Sequence, residues 1–131
     1  MKNTRVLSLK NLSKRFGTVV ANNSVNIDLY RGEVLSLLGE NGAGKTTLMN
    51  MLFGHYVPDN GSIDVLGEDG KMEPLTLGHP QASLDAGIGM VHQHFTLAEN
   101  LTVLDNVLLG SEKIWAWRHD HLNARNKITK I

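Results

Sequence analysis

Eight consecutive residues carry the clearest chemistry in the chain: Gly39-Glu40-Asn41-Gly42-Ala43-Gly44-Lys45-Thr46. They satisfy G-x-x-x-x-G-K-[ST], the spacing of a phosphate-binding loop. To surround a polyphosphate, successive backbone N–H groups must point inward together. That needs positive φ and close backbone approach, which glycine permits. Lys45 brings a charge to the outer phosphates, and Thr46 offers a hydroxyl suited to Mg²⁺. A helix starting here adds the positive end of its dipole. This pattern points to a chain that binds a nucleoside triphosphate.

The flanking residues supply the elements such a loop requires. Glu33-Val34-Leu35-Ser36-Leu37-Leu38 is a nearly continuous apolar run, which predicts a strand buried on both faces. After the loop, Leu48, Met49, Met51, Leu52 and Phe53 recur with helical spacing, and Gly54 is a helix stop. Upstream, Val6, Leu7 and Leu9 predict a first strand, Lys14-Arg15-Phe16-Gly17 a turn, and Val25-Asn26-Ile27-Asp28-Leu29 a strand with one wet face. The start of the chain thus reads as an antiparallel layer feeding a parallel one. Downstream, Pro58-Asp59-Asn60-Gly61 is a turn signal, followed by a half-buried strand through Ile63 and Val65 that stops at Gly67. Residues 67–79 read as a surface loop, and Pro80 to Ala86 as a short helix closed by Gly87. Ile88-Gly89-Met90-Val91-His92-Gln93 reads as a second buried strand, and Thr102-Val103-Leu104-Asp105 as a capping box opening a helix from Val103 to Leu109. The stretch from Leu122 to Ile131 reads as the start of another helix.

At 131 residues the chain is one domain at most. Thirteen basic residues balance thirteen acidic ones, giving no sign of a nucleic-acid or anionic-membrane surface. The absence of cysteine excludes disulfides and thiolate metal sites. No apolar run approaches the roughly 20 residues of a membrane span, so any work at a membrane is expected to pass through a partner. His92 and His94 flank Gln93 with a spacing that a metal can use, but no third ligand is evident nearby. Trp115 and Trp117 are expected to cover a hydrophobic surface.

Four features together resemble the ATP-binding-cassette ATPases. Phe16, within Leu12-Ser13-Lys14-Arg15-Phe16-Gly17, is similar to the family's aromatic A-loop, whose ring stacks on adenine. The segment from Leu37 through Lys45-Thr46-Thr47-Leu48 resembles Walker A. Pro58 to Gly67 resembles the hairpin strand that follows, and Gln93 with Leu101 to Val107 resembles the Q-loop and the first helix of the helical subdomain. Gly87-Ile88-Gly89-Met90-Val91-His92-Gln93-His94-Phe95 is more narrowly similar to ATPase subunits of bacterial simple-sugar and nucleoside importers.

The resemblance implies an α/β P-loop core with an antiparallel layer over 1–32, the core through the Q-loop over 33–100, and the start of a helical subdomain over 101–131. It implies ATP and Mg²⁺ as cofactors, with Phe16 under adenine and Gly39, Glu40, Asn41, Gly42, Ala43, Gly44, Lys45, Thr46 and Thr47 around the phosphates. Thr46 and Gln93 would share the Mg²⁺ shell, and Lys45 and Gln93 would serve hydrolysis. On the residues alone, Phe16 has a competing role as a core aromatic, and Tyr30 competes as the platform. Implied partners are transmembrane permease subunits, reached through the Q-loop region and helical subdomain, and a second cassette packed head to tail. The implied place is the cytoplasmic face of the membrane, without direct insertion. The family's Leu-Ser-Gly-Gly-Gln signature is absent, since no two glycines are adjacent. The Walker B acids are absent too, since no Asp is followed by Glu. The expectation is therefore an N-terminal portion of a larger cassette, inactive by itself. A binding module without turnover and a soluble cassette ATPase without a membrane partner are the other readings.

Overall fold

Two twelve-residue strands, β1 (Arg5–Phe16) and β2 (Val19–Tyr30), form an antiparallel hairpin in the computed structural model, which describes residues 4–91, 97–98 and 100–108. Gly17 turns the chain at φ 58°. The turn is shorter than Lys14 to Gly17, because Lys14, Arg15 and Phe16 stay in register with Asn22, Val20 and Val19.

Strict alternation would not place both Leu9 and Leu12 in one core. A register shift lies between them, where Asn11 on β1 (φ 50°) and Ser24 on β2 (φ 49°) leave the extended region. Such a bulge reverses the side-chain parity beyond it. Side chains replace the ladder bonds lost there. The Asn11 N–H donates to Asn26 Oδ1 (2.9 Å), Asn26 Nδ2 donates to the Ser24 carbonyl (2.8 Å), and the Ser24 N–H donates to Ser13 Oγ (2.8 Å).

The hairpin is half of a four-stranded antiparallel sheet. Strand β3 (Asn60–Leu66) pairs with β1, and β4 (Met72–Pro74) pairs with β3, giving the order β2-β1-β3-β4. The segment read as an unstructured loop over 67–79 therefore contains a short edge strand, where Pro74 is tolerated because no further strand needs its N–H. Helix α1 (Lys45–Phe53) lies against the sheet: Leu48 and Met51, one turn apart, join Leu9, Leu12, Ile63 and Leu75 in the buried core. Burying a side chain of this size contributes about 1.5–3 kcal/mol. Helix α2 (Pro80–Asp85) is tied to α1 by the buried Ser83, whose hydroxyl donates to the Leu52 carbonyl (3.0 Å).

Two expected strands are not formed. Residues 33–40 form no strand and are exposed throughout, with Val34 93% and Leu38 90% accessible. Residues 88–91 likewise form no strand, and Val91 is exposed. A strand buried on both faces needs neighbours for its backbone groups. Among the described residues every ladder belongs to the antiparallel sheet, which leaves these apolar runs without one.

The chain divides into two compact units between Val91 and His92. In the second, α3 (Val103–Leu108) opens with the expected reciprocal cap: the Asp105 N–H donates to Thr102 Oγ1 (3.2 Å) and the Thr102 N–H to Asp105 Oδ2 (3.3 Å). The Asn106 amide also pairs both ways with the Ala98 backbone. The expected end of this helix at Leu109 and Gly110, the His92/Gln93/His94 triplet, the two tryptophans and the expected C-terminal helix lie outside the described residues. Among the described residues no helix is long and apolar enough to cross a membrane.

Urea unfolding of the 131-residue chain separates buried from exposed apolar positions. Met51→Ala should cost about 2–5 kcal/mol, whereas Val34→Thr should stay within about 0.5 kcal/mol. A loss above about 1 kcal/mol for Val34→Thr would place residue 34 in a packed strand after all.

Candidate functional site

The loop expected to hold phosphate is continuous with α1. Gly44 caps the helix in the left-handed region (φ 87°), and its carbonyl accepts the Leu48 N–H at 2.9 Å. Gly42 is also left-handed, at φ 86°, with open space where a Cβ would stand, so conformation alone selects glycine there. The N–H groups of the first turn have no partner within the helix and carry the positive dipole end. Between them the Ala43 N–H closes a turn onto the Glu40 carbonyl (3.2 Å).

Lys45 folds back over this loop. Its Nζ donates to the carbonyls of Gly39 (2.6 Å) and Glu40 (2.7 Å). An ammonium has three donors. Two of them go to these carbonyls and tie the loop together. Glu40, Asn41, Gly42 and Ala43 are exposed, Thr46 stands exposed on the first turn, and Thr47 is half-buried. A lone hydroxyl beside a phosphate cradle suits Mg²⁺, which takes few protein ligands and completes its shell from phosphate and water. Among the described residues no group of three acidic, His or Cys side chains offers an alternative metal cage. Gln93, the second expected Mg²⁺ ligand, lies outside the described residues.

Strand β2 braces the loop, a contact that sequence reasoning missed. A Cβ on Gly44 would stand 2.1 Å from the Ala21 carbonyl oxygen. Next to it, Asn22 is 8% exposed and its Nδ2 donates to the Gly44 carbonyl (3.3 Å), while its buried Oδ1 has no partner among the described residues. Asn22 sits in Asn22-Asn23-Ser24, which reads only as a polar stretch.

Phe16 closes the same end of the hairpin, paired with Val19, two residues or about 7 Å along β2 from Ala21. It is 45% exposed and lies outside the buried core cluster. Its ring meets Tyr56 edge to face at 5.4 Å and 72°, and Lys14 Nζ lies 5.6 Å from the ring centre. Tyr30 pairs with Arg5 at the far end of the hairpin, remote from the loop. Asp59 anchors Lys14 (3.0 Å) and accepts the Arg15 N–H (2.7 Å).

Those bonds, the Lys14 ammonium first, hold the Asp59 carboxyl below the ordinary 3.8. Its contribution to stability is therefore present above that pH and lost as pH falls through the folded value. Carbon-13 titration of Asp59 should show the low midpoint, and Lys14→Met should move it upward; an unmoved midpoint would assign the shift to the Arg15 N–H. The brace is tested by Gly44→Ala against Gly17→Ala. Both residues have positive φ, but nothing lies within 4 Å of a Cβ at Gly17. Gly17→Ala should lose about 1–2 kcal/mol and Gly44→Ala clearly more, with loss of nucleotide binding. Equal losses in urea unfolding would mean that β2 yields.

The family described as ABC transporter matches residues 22–131. The chain is 44% identical over 126 residues to the guanosine import ATP-binding protein NupO of Bacillus subtilis, covering 96% of this chain and 24% of that protein. It is 44% identical over 131 residues to the nucleoside import ATP-binding protein NupA of Lactococcus lactis subsp. cremoris, covering 100% and 25%. The chain thus spans about a quarter of the length of these curated relatives. Among solved structures, MJ1267, an ATP-binding cassette of an ABC transporter, superposes with a TM-score of 0.70 at 28% identity, covering 94% of this chain and 46% of that one. A nucleotide-free ATP-binding cassette from an ABC transporter gives 0.67 at 29% identity, covering 92% and 44%. The family match over most of the chain and the likeness to these ATP-binding cassettes agree: the chain belongs to the ABC transporter family.

Proposed function

We propose that this chain is the nucleotide-binding front of an energy-coupling subunit, in which ATP hydrolysis drives uptake of a small solute such as a simple sugar or nucleoside. The observation that carries the reading is the loop from Gly39 to Lys45, set on α1 with Gly42 and Gly44 left-handed and Lys45 strapped across it. The class of solute is supported by relatives whose names describe import of guanosine, nucleosides and, in Haloferax volcanii, glucose.

In this reading the N–H groups between Gly39 and Thr47 receive the phosphate oxygens, and Lys45 neutralises charge that grows as the terminal phosphate leaves. The Phe16 ring carries adenine, which needs no hydrogen-bond match. Thr46, with Gln93, would hold Mg²⁺, which supplies further neutralisation of the phosphates. Transmembrane permease subunits, a second cassette packed head to tail, and a place on the cytoplasmic face of the membrane complete the proposal.

A binding role without turnover is favoured for the 131 residues themselves, because no Asp-Glu pair is present to position water. Lys45→Ala should weaken ATP binding by about 1.5–3 kcal/mol, the worth of a charged contact, while the fold is retained. Calorimetry on the complete protein checks this, and equal affinities would remove Lys45 from the site. Residues 1–131 alone should release no phosphate above a Lys45→Ala blank. Turnover on the order of 1 s⁻¹, ordinary for an enzyme, would show that the absent acids are dispensable.

A further inference from the structure

Tyr56 has no part in the function described so far, yet among the described residues its ring meets that of Phe16. It lies three residues past the end of α1, held there by backbone bonds. Gly54 ends the helix at φ 88°, and the N–H groups of His55 (2.8 Å) and Tyr56 (3.1 Å) both donate to the Asn50 carbonyl. The Tyr56 ring, 39% exposed, then meets Phe16 edge to face. Such pairs have a preferred orientation, set by the quadrupoles of the two rings. Lys14 Nζ also lies over the Phe16 ring, 5.6 Å from its centre, and pairs with Asp59.

Phe16 stands next to a two-residue turn, where a lone exposed ring would sample several rotamers. Tyr56 and Lys14 restrict that choice. A stacking platform gains from restriction, because ordering a side chain on binding costs affinity that preorganisation saves. The restraint also has a definite source. α1 carries the glycine-rich loop on its first turn and Tyr56 just beyond its last, so one helix of nine residues joins that loop to the contact on Phe16.

We propose that Tyr56 is a positioning residue for the base, its edge-to-face contact restricting the Phe16 ring to the orientation on which a purine stacks. The inference rests on Phe16 as the platform. A base in this position would be sensitive to Tyr56, whereas the phosphate loop would not.

The test compares ADP with inorganic pyrophosphate, which has the phosphates and no base, by calorimetry on the complete protein. Tyr56→Leu should weaken ADP by about 2- to 10-fold, as expected for loss of an aromatic pair, and leave pyrophosphate unchanged. Tyr56→Phe, which keeps the ring, should bind ADP like the wild type. Phe16→Ala should also weaken ADP selectively. Equal weakening of both ligands by Tyr56→Leu would make Tyr56 a structural prop of the loop and overturn the proposal, as would no change in either. Selective loss in Phe16→Ala without selective loss in Tyr56→Leu would overturn the positioning role alone. No selective loss in Phe16→Ala would overturn the platform reading, and the role of Tyr56 with it.

Discussion

The carbonyl of Ala21 approaches the α carbon of Gly44 so closely that no side chain fits between strand β2 and the start of α1. The rest of the site depends on that approach. It sets where the first turn of α1 begins, and therefore where the partnerless N–H groups point. It also places the loop beside the hairpin end that carries Phe16. A glycine at position 44 thus answers two demands at once, a left-handed backbone and a missing Cβ.

What holds this arrangement is the small apolar core under α1 rather than charge. Leu48 and Met51 are buried against Leu9, Leu12 and Ile63, and only the bulge at Asn11 and Ser24 lets β1 present both leucines to them. The ion pairs of Arg5 with Asp28, Lys10 with Asp64 and Lys71 with Asp69 each have at least one well-exposed partner, and pairs of that kind contribute little net stability. The Lys14–Asp59 pair differs in what it touches, because its ammonium lies over the Phe16 ring.

The described elements also show how local signals and packing divide the work. The Thr102/Asp105 cap, the proline at the start of α2 and the glycine ending α1 all formed where their residue types called for them. Each is a short-range device whose partners lie within a few residues. The runs Val34 to Leu38 and Ile88 to Val91 failed the same test, since a doubly buried strand is a property of its neighbours. β4 was overlooked for the converse reason: Met72-Glu73-Pro74 has no strand pattern and pairs only because the edge of β3 is open.

By itself the sequence determined the glycine-rich loop, its helix, the capped turns and the resemblance to a family, because glycine spacing, a following Lys-Thr and apolar periodicity act locally. It determined as well that Phe16 stands upstream of that loop, but not that the ring is exposed. Only the tertiary structure decided that Ala21 and Asn22 brace Gly44, that Tyr56 meets Phe16, and that Tyr30 and Phe16 lie at opposite ends of the hairpin. Those relations join residues far apart in the chain, and they depend on strand register. One slip in register reverses every side chain on a strand, and the bulge that sets it is written in Asn11, Ser13, Ser24 and Asn26 as ordinary polar residues.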